Sequence, residues 1–103
     1  MKVALTVWGN RISPVFDSAQ TVLLAELLDR KIVNKKLEFI ALLIPVSIAR
    51  KIVGFKPDSL ICGAISEQPA RIIEDAGITL IPFISGKAEL ILQAYAQNLE
   101  INK

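Results

Sequence analysis

The sequence predicts an α/β fold of order βββαβαβα, a five-stranded mixed sheet with strand order 3-2-1-4-5 flanked by helices. Three observations predict it. Val3–Trp8 is a nearly continuous apolar, β-branched run, which suits a central strand covered on both faces. Residues 21–28 and 32–41 are extended segments split by the polar Asp29-Arg30-Lys31, the pattern of a hairpin with strand two antiparallel to its neighbours. From Pro45 onward helical and strand patterns alternate, which implies right-handed crossovers and parallel strands.

Each element has its own local reason. Gly9-Asn10 ends the first strand, and residues 10–20 read as a long loop in which Pro14 bars a ladder hydrogen bond. Thr21–Leu28 is the second strand. Its Leu-rich stretch is equally compatible with helix on propensity, but the first strand needs an edge partner and the following interruption is short. Ile32–Ala41 is the third strand. Pro45–Val53 is a helix with Pro45 in its first turn and Ile48, Ala49, Ile52 and Val53 on one stripe. Gly54 is placed to stop it, ahead of Pro57. Ser59–Ala64 is the fourth strand. A second helix over 69–76 buries Ile72, Ile73 and Ala76, with Gly77 just past its end. Ile78–Ile84 is the last strand, and Pro82 marks it as an edge or a bulge. The third helix opens at Ser85-Gly86, with Ser85 as N-cap and Glu89 near the first turn. Ala88, Ile91, Leu92, Tyr95 and Leu99 give it helical spacing.

Composition narrows the function classes. The 103 residues fit one domain, 1–103, and 52% hydrophobic residues are enough to build a core. The formal net charge is +2. Lys35-Lys36 and Arg50-Lys51 are adjacent basic pairs, yet no basic stripe forms and aromatic residues are few, so no nucleic acid is expected as a partner. The longest uncharged run, Phe39–Ala49, contains Pro45 and falls short of the ~20 residues a membrane span needs. No membrane association is expected. Cys62 is the single cysteine, which rules out an internal disulfide, and no export signal is visible. A cytoplasmic setting is the default.

The chain has no histidine, which removes the commonest general base and the commonest metal ligand. With the first, fourth and fifth strands parallel, the loops 9–17, 63–68 and 84–87 meet at one sheet edge, where open α/β sheets bind ligands. The expected groove is lined by Gly9, Asn10, Arg11, Ser13, Phe16, Gly63, Ser66, Ser85 and Gly86. Helix N-termini near Ser66 and Ser85, together with Arg11, favour a small anion. The same glycines are also ordinary turn residues. Trp8 and Phe16 either wall this pocket or pack in the core.

Catalysis finds little support. Asp17 is the one carboxylate in a site loop, with Glu67 a weaker second, and the first strand carries no acid to hold paired metals. Ser13 and Ser66 have no histidine base. The chain is read as a non-enzyme. Cys62 has two readings: a buried strand residue, or a soft thiolate ligand whose pKa a helix N-terminus lowers. One cysteine cannot by itself hold a conventional iron–sulfur cluster.

Met1-Lys2-Val3-Ala4, Ile12-Ser13-Pro14-Val15-Phe16-Asp17, Leu60-Ile61-Cys62-Gly63-Ala64-Ile65, Pro69-Ala70, Ala76-Gly77-Ile78 and Leu92-Gln93-Ala94-Tyr95 occur in that order. In their order and spacing they resemble the dinitrogenase iron–molybdenum cofactor biosynthesis family, the NifX- and NafY-like domains also found at the C-terminus of NifB. The resemblance covers nearly the whole chain. It implies a ribonuclease H-like fold without nuclease activity. It also implies a binding or carrier role for iron–molybdenum cofactor or another metal–sulfur cluster, an anionic metal cofactor as ligand, and a protein partner in cofactor assembly. The alternative within the same fold is a small protein-interaction or regulatory domain that binds no metal. Many members follow Ser-Pro-Val with a histidine-bearing insert, whereas Phe16 follows Val15 directly here. Relatives often have Gly-Gly where this chain has Cys62-Gly63, which leaves Cys62 as the candidate metal ligand.

Overall fold

The computed structural model describes residues 1–40 and 43–97. Among them, six strands form one mixed open sheet: β1 (Lys2–Trp8), β2 (Arg11–Ile12), β3 (Thr21–Leu28), β4 (Lys31–Phe39), β5 (Ser59–Ile61) and β6 (Thr79–Ile81). Three helices accompany it: α1 (Pro45–Phe55), α2 (Glu67–Asp75) and α3 (Ala88–Gln97). The sheet runs β4-β3-β1-β5-β6, with β2 paired to β1 off this path. Pairing is antiparallel from β4 through β3 to β1 and parallel from β1 through β5 to β6.

The apolar run of β1 is explained by alternation across its two faces. Val3, Leu5 and Val7 join Ala25, Ile61 and, from α3, Leu92 in one core layer. Ala4 faces the other layer, with Val22, Leu60, Cys62 and Phe16, under Ile48, Ala49 and Ile52 of α1 and Ile73 of α2. Fully burying one such side chain is worth about 1.5–3 kcal/mol, so a strand flanked on both faces contributes twice over.

The structure corrects several sequence expectations. The sheet has six strands where five were expected: the additional β2 pairs with β1 off the main path, so the order is 4-3-1-5-6 with a sixth strand beside it rather than 3-2-1-4-5 over five. Gly9 sits at φ 66°, which lets the chain reverse at once. Arg11 and Ile12 then pair back on Trp8 and Val7 as β2, rather than leaving as loop. Beyond them a single 3₁₀ turn, Phe16–Ser18, buries Phe16. The hairpin turn is Asp29-Arg30, both left-handed at φ 53° and 64°, as a two-residue turn requires. Lys31 therefore belongs to β4. The expected end of that strand at Ala41, and Leu99 in the third helix, lie outside the described residues.

Helix α1 runs through Gly54 to Phe55. Its end is set by Pro57, because the residue before a proline avoids the helical region. Lys56 takes φ 58° instead, and its N–H closes on Val53 O at 3.0 Å. Helix α2 starts at Glu67, since Pro69 is tolerated in a first turn, and Ala76 at its end is exposed rather than buried. β5 and β6 stop at Ile61 and Ile81, short of Ala64 and Ile84. Pro82 has no N–H to continue the ladder, and Phe83 is left-handed at φ 62°. Helix α3 starts at Ala88, so Ser85 is not its N-cap. No helix among the described residues is long and apolar enough to cross a membrane.

Candidate functional site

The loops following β1, β5 and β6 do meet at one sheet edge, and backbone hydrogen bonds join them. Ile12 N donates to Gly86 O at 2.9 Å, and Ala88 N to Asn10 O at 2.9 Å. Phe16 N donates to Ala64 O at 2.7 Å, and Ala64 N to Pro14 O at 2.9 Å. Phe83 N donates to Gly63 O at 3.0 Å. These N–H groups are engaged by neighbouring loops and are not available to a ligand.

The nine expected lining residues therefore separate. Ser13 and Phe16 are buried, and Ser13 Oγ donates to Val15 O at 2.9 Å. Gly63 is buried against the Ser13 and Pro14 carbonyls, and a Cβ there would collide with both oxygens. Its missing side chain admits the neighbouring backbone, not a ligand. Ser66 is exposed at the start of α2, but its hydroxyl donates to Asp17 Oδ2 at 2.9 Å. The Asp17 carboxylate thus already stands at the helix end that favours an anion, and Glu67 adds a second negative charge in the first turn. Ser85 and Gly86 lie in the connection before α3. Gly9, Asn10 and Arg11 remain exposed together at the tip of β1.

Two clefts flank that tip. One, about 370 Å³, is lined by Trp8, Gly9, Arg11, Ile12 and Pro14. Trp8 is 61% exposed, so it walls this cleft and is not core. The other, about 430 Å³, lies on the α3 side. Val7, Leu23, Leu37 and Ala88 give it apolar walls, and Gly9, Asn10, Lys35, Lys36 and Glu89 complete it. Lys35 Nζ pairs with Glu89 Oε1 at 2.7 Å across it. Arg11 brings positive charge to the Trp8 side of the tip, whereas Lys35 is paired with Glu89 and Lys36 with Glu38 at 3.0 Å.

Sequence reasoning missed Lys35, Lys36, Leu23 and Leu37. The Lys35-Lys36 pair was visible, but not its place: across β3 it stands level with Val3 and Ala4, and it shares the lining of the α3-side cleft with Gly9 and Asn10. The register opposes Lys35 to Ala25 and Leu37 to Leu23.

Cys62 is fully buried among Ala4, Leu60, Phe16 and the α1 side chains. Burial pushes its thiol up to about 12, away from the thiolate a metal ligand requires. The expectation of a helix-activated thiolate is corrected: removal from water outweighs any effect of the nearby helix. Its neighbour Ile61 packs in the opposite layer, as strand alternation demands. Thr6 lies on β1, and its Oγ1 is buried with no hydrogen-bond partner among the described residues. No group of three or more Cys, Asp or Glu among the described residues is placed to hold a metal ion. Glu67 pairs with Arg71 at 2.6 Å, so it and Asp17 each have their own partner and do not form a paired acid.

No family model matches the chain, and no curated protein matches its sequence. Solved structures do. The crystal structure of PH0822 superposes with a TM-score of 0.87 at 12% identity, covering 93% of this chain and 88% of that one. A proposed dinitrogenase (MJ0327) from Methanocaldococcus jannaschii gives 0.80 at 20% identity, with 95% and 89% covered. A proposed NifB protein from Thermotoga (TM1290), placed in the DUF35 family, gives 0.74 at 15%, with 93% and 87% covered. At these identities the likeness establishes the fold: the chain shares its architecture with proteins that carry dinitrogenase and NifB names.

Proposed function

We propose that this chain is a non-enzymatic binding or carrier domain for an anionic metal–sulfur cluster, of the kind handled by nitrogenase cofactor accessory proteins. The observation that carries this reading is the cleft at the tip of β1 that is walled by the exposed Trp8 and rimmed by the exposed Arg11. The names of its structural neighbours point the same way, as does the ribonuclease H-like arrangement that the family resemblance implies.

The donor set defines how such a cargo is held. The chain has no histidine, and its one thiol is buried and protonated, so side-chain coordination of the metal does not fit. A preformed anion such as iron–molybdenum cofactor would instead be retained by Arg11 charge, with Trp8 stacked along its surface. Held this way, the cargo needs no ligand exchange to be passed on.

The test uses Trp8, the sole tryptophan, as reporter. Titration with tetrathiomolybdate quenches its fluorescence, and amide shifts centre on Gly9, Asn10 and Arg11. Shifts confined to the opposite edge, near Asp58 and Gly77, would overturn the site. A second reading, an interaction domain without metal, is favoured by the exposed Phe83, at 76% of its surface. In that case tetrathiomolybdate leaves the spectra unchanged.

A further inference from the structure

The two edges of the sheet differ. β6 is three residues long and is closed by Pro82, so it offers almost no ladder to a partner. β4 is nine residues long and, among the described residues, pairs only with β3. Its irregularity lies near Leu27, opposite Ile32, which leaves Lys35–Phe39 regular. Ile40 N donates to Gln20 O at 2.8 Å, and residues 20 and 40 continue the register in which Thr21 faces Phe39. The antiparallel alternation then turns the N–H and C=O of Lys35, Leu37 and Phe39 outward, away from β3. Leu37 is 64% exposed and Phe39 71%, and both project on the α3 side of the sheet.

We infer that β4 pairs antiparallel with β4 of a second copy of this chain, about a two-fold axis through Leu37. Two independent features select this register. Leu37 is an outward-bonding residue, so it can exchange backbone hydrogen bonds with its own counterpart, and Lys35 with Phe39 of the second copy. The same axis sets Lys36 opposite Glu38 of the second copy, and Glu38 opposite its Lys36. Such directly opposed side chains stand about 4.5–5.5 Å apart at Cβ. Axes through Lys35, Lys36 or Glu38 would each oppose like charges. Within one chain Lys36 Nζ already lies 3.0 Å from Glu38 Oε2, so the dimer closes a four-charge network. On the other face Leu37 meets its twin, and Phe39 covers the Lys35 stem. The symmetry is isologous and closed, so pairing stops at two copies.

Sedimentation equilibrium on the full chain tests this. The expected species has twice the 11.3 kDa of one chain. Lys36→Glu and Glu38→Lys each weaken the dimer about tenfold or more, by opposing like charges twice across the axis. Mixing the two variants restores a dimer, because 36 and 38 are again complementary between chains. Circular dichroism of each variant confirms that the fold is intact. A chain that stays at 11.3 kDa at every concentration overturns the proposal. So does a dimer indifferent to both reversals, or a failure of the mixed pair to reassociate. The readout is mass, so it stands apart from whether the β1 clefts bind an anion.

Discussion

Gly63 and Pro14 meet backbone to backbone. Ala64 N donates to Pro14 O at 2.9 Å, and that carbonyl, with Ser13 O, fills the space where a Gly63 side chain would stand. The contact locks the loop after β1 to the loop after β5, and it brings Phe16 down into the core.

Gly63→Ala should therefore destabilise the protein by about 1–3 kcal/mol, because backbone cannot yield as a flexible side chain does. Urea denaturation reads the loss. An unchanged midpoint would mean that the loops separate freely.

Thr6→Val should be neutral or stabilising, by up to about 1–2 kcal/mol. It removes a buried hydroxyl that has no partner among the described residues and keeps the side-chain shape. The same denaturation experiment checks it, and a clear loss of stability would show that Oγ1 has a hydrogen bond.

Cys62 should react with Ellman's reagent only when the protein unfolds, since its side chain is inaccessible. Its pH linkage has a definite sign. The folded thiol titrates near 12 against an ordinary 9.0, so above about pH 9 the unfolded chain loses its proton first. Stability is unaffected by this group below pH 9 and falls between 9 and 12, with a limiting slope of about 1.4 kcal/mol per pH unit. Cys62→Ala removes that slope.

Arg11→Ala should weaken tetrathiomolybdate binding about tenfold while leaving the melting temperature unchanged, because Arg11 is exposed. Added salt should weaken wild-type binding in the same direction. Quenching of Trp8 fluorescence measures both. Equal affinity in the two proteins would remove Arg11 from the site.

Local chemistry made much of the fold legible. The double-sided run of β1, the polar Asp29-Arg30 turn and the stripe Ile48, Ala49, Ile52 each follow from short-range patterning, and each appears. Element ends were less legible. Gly54 reads as a stop, but Pro57 acts through Lys56, and Pro82 shortens β6. β2 escaped notice because two residues carry no periodicity, and only the φ of Gly9 turns them back on β1.

The candidate site was legible only as a place. By itself the sequence determined that loops gather at the ends of β1, β5 and β6, because alternating helices and strands force parallel pairing. It also determined that no histidine takes part and that one thiol exists. Only the tertiary structure decided which loop residues face solvent. Backbone bonds between loops withdrew Ser13, Phe16 and Gly63, and burial placed Cys62 in the core. Folding also placed Lys35 and Lys36 in the lining of one cleft with Gly9 and Asn10, which are distant in sequence. Exposure and register arise from contacts between distant segments, and local pattern does not encode them.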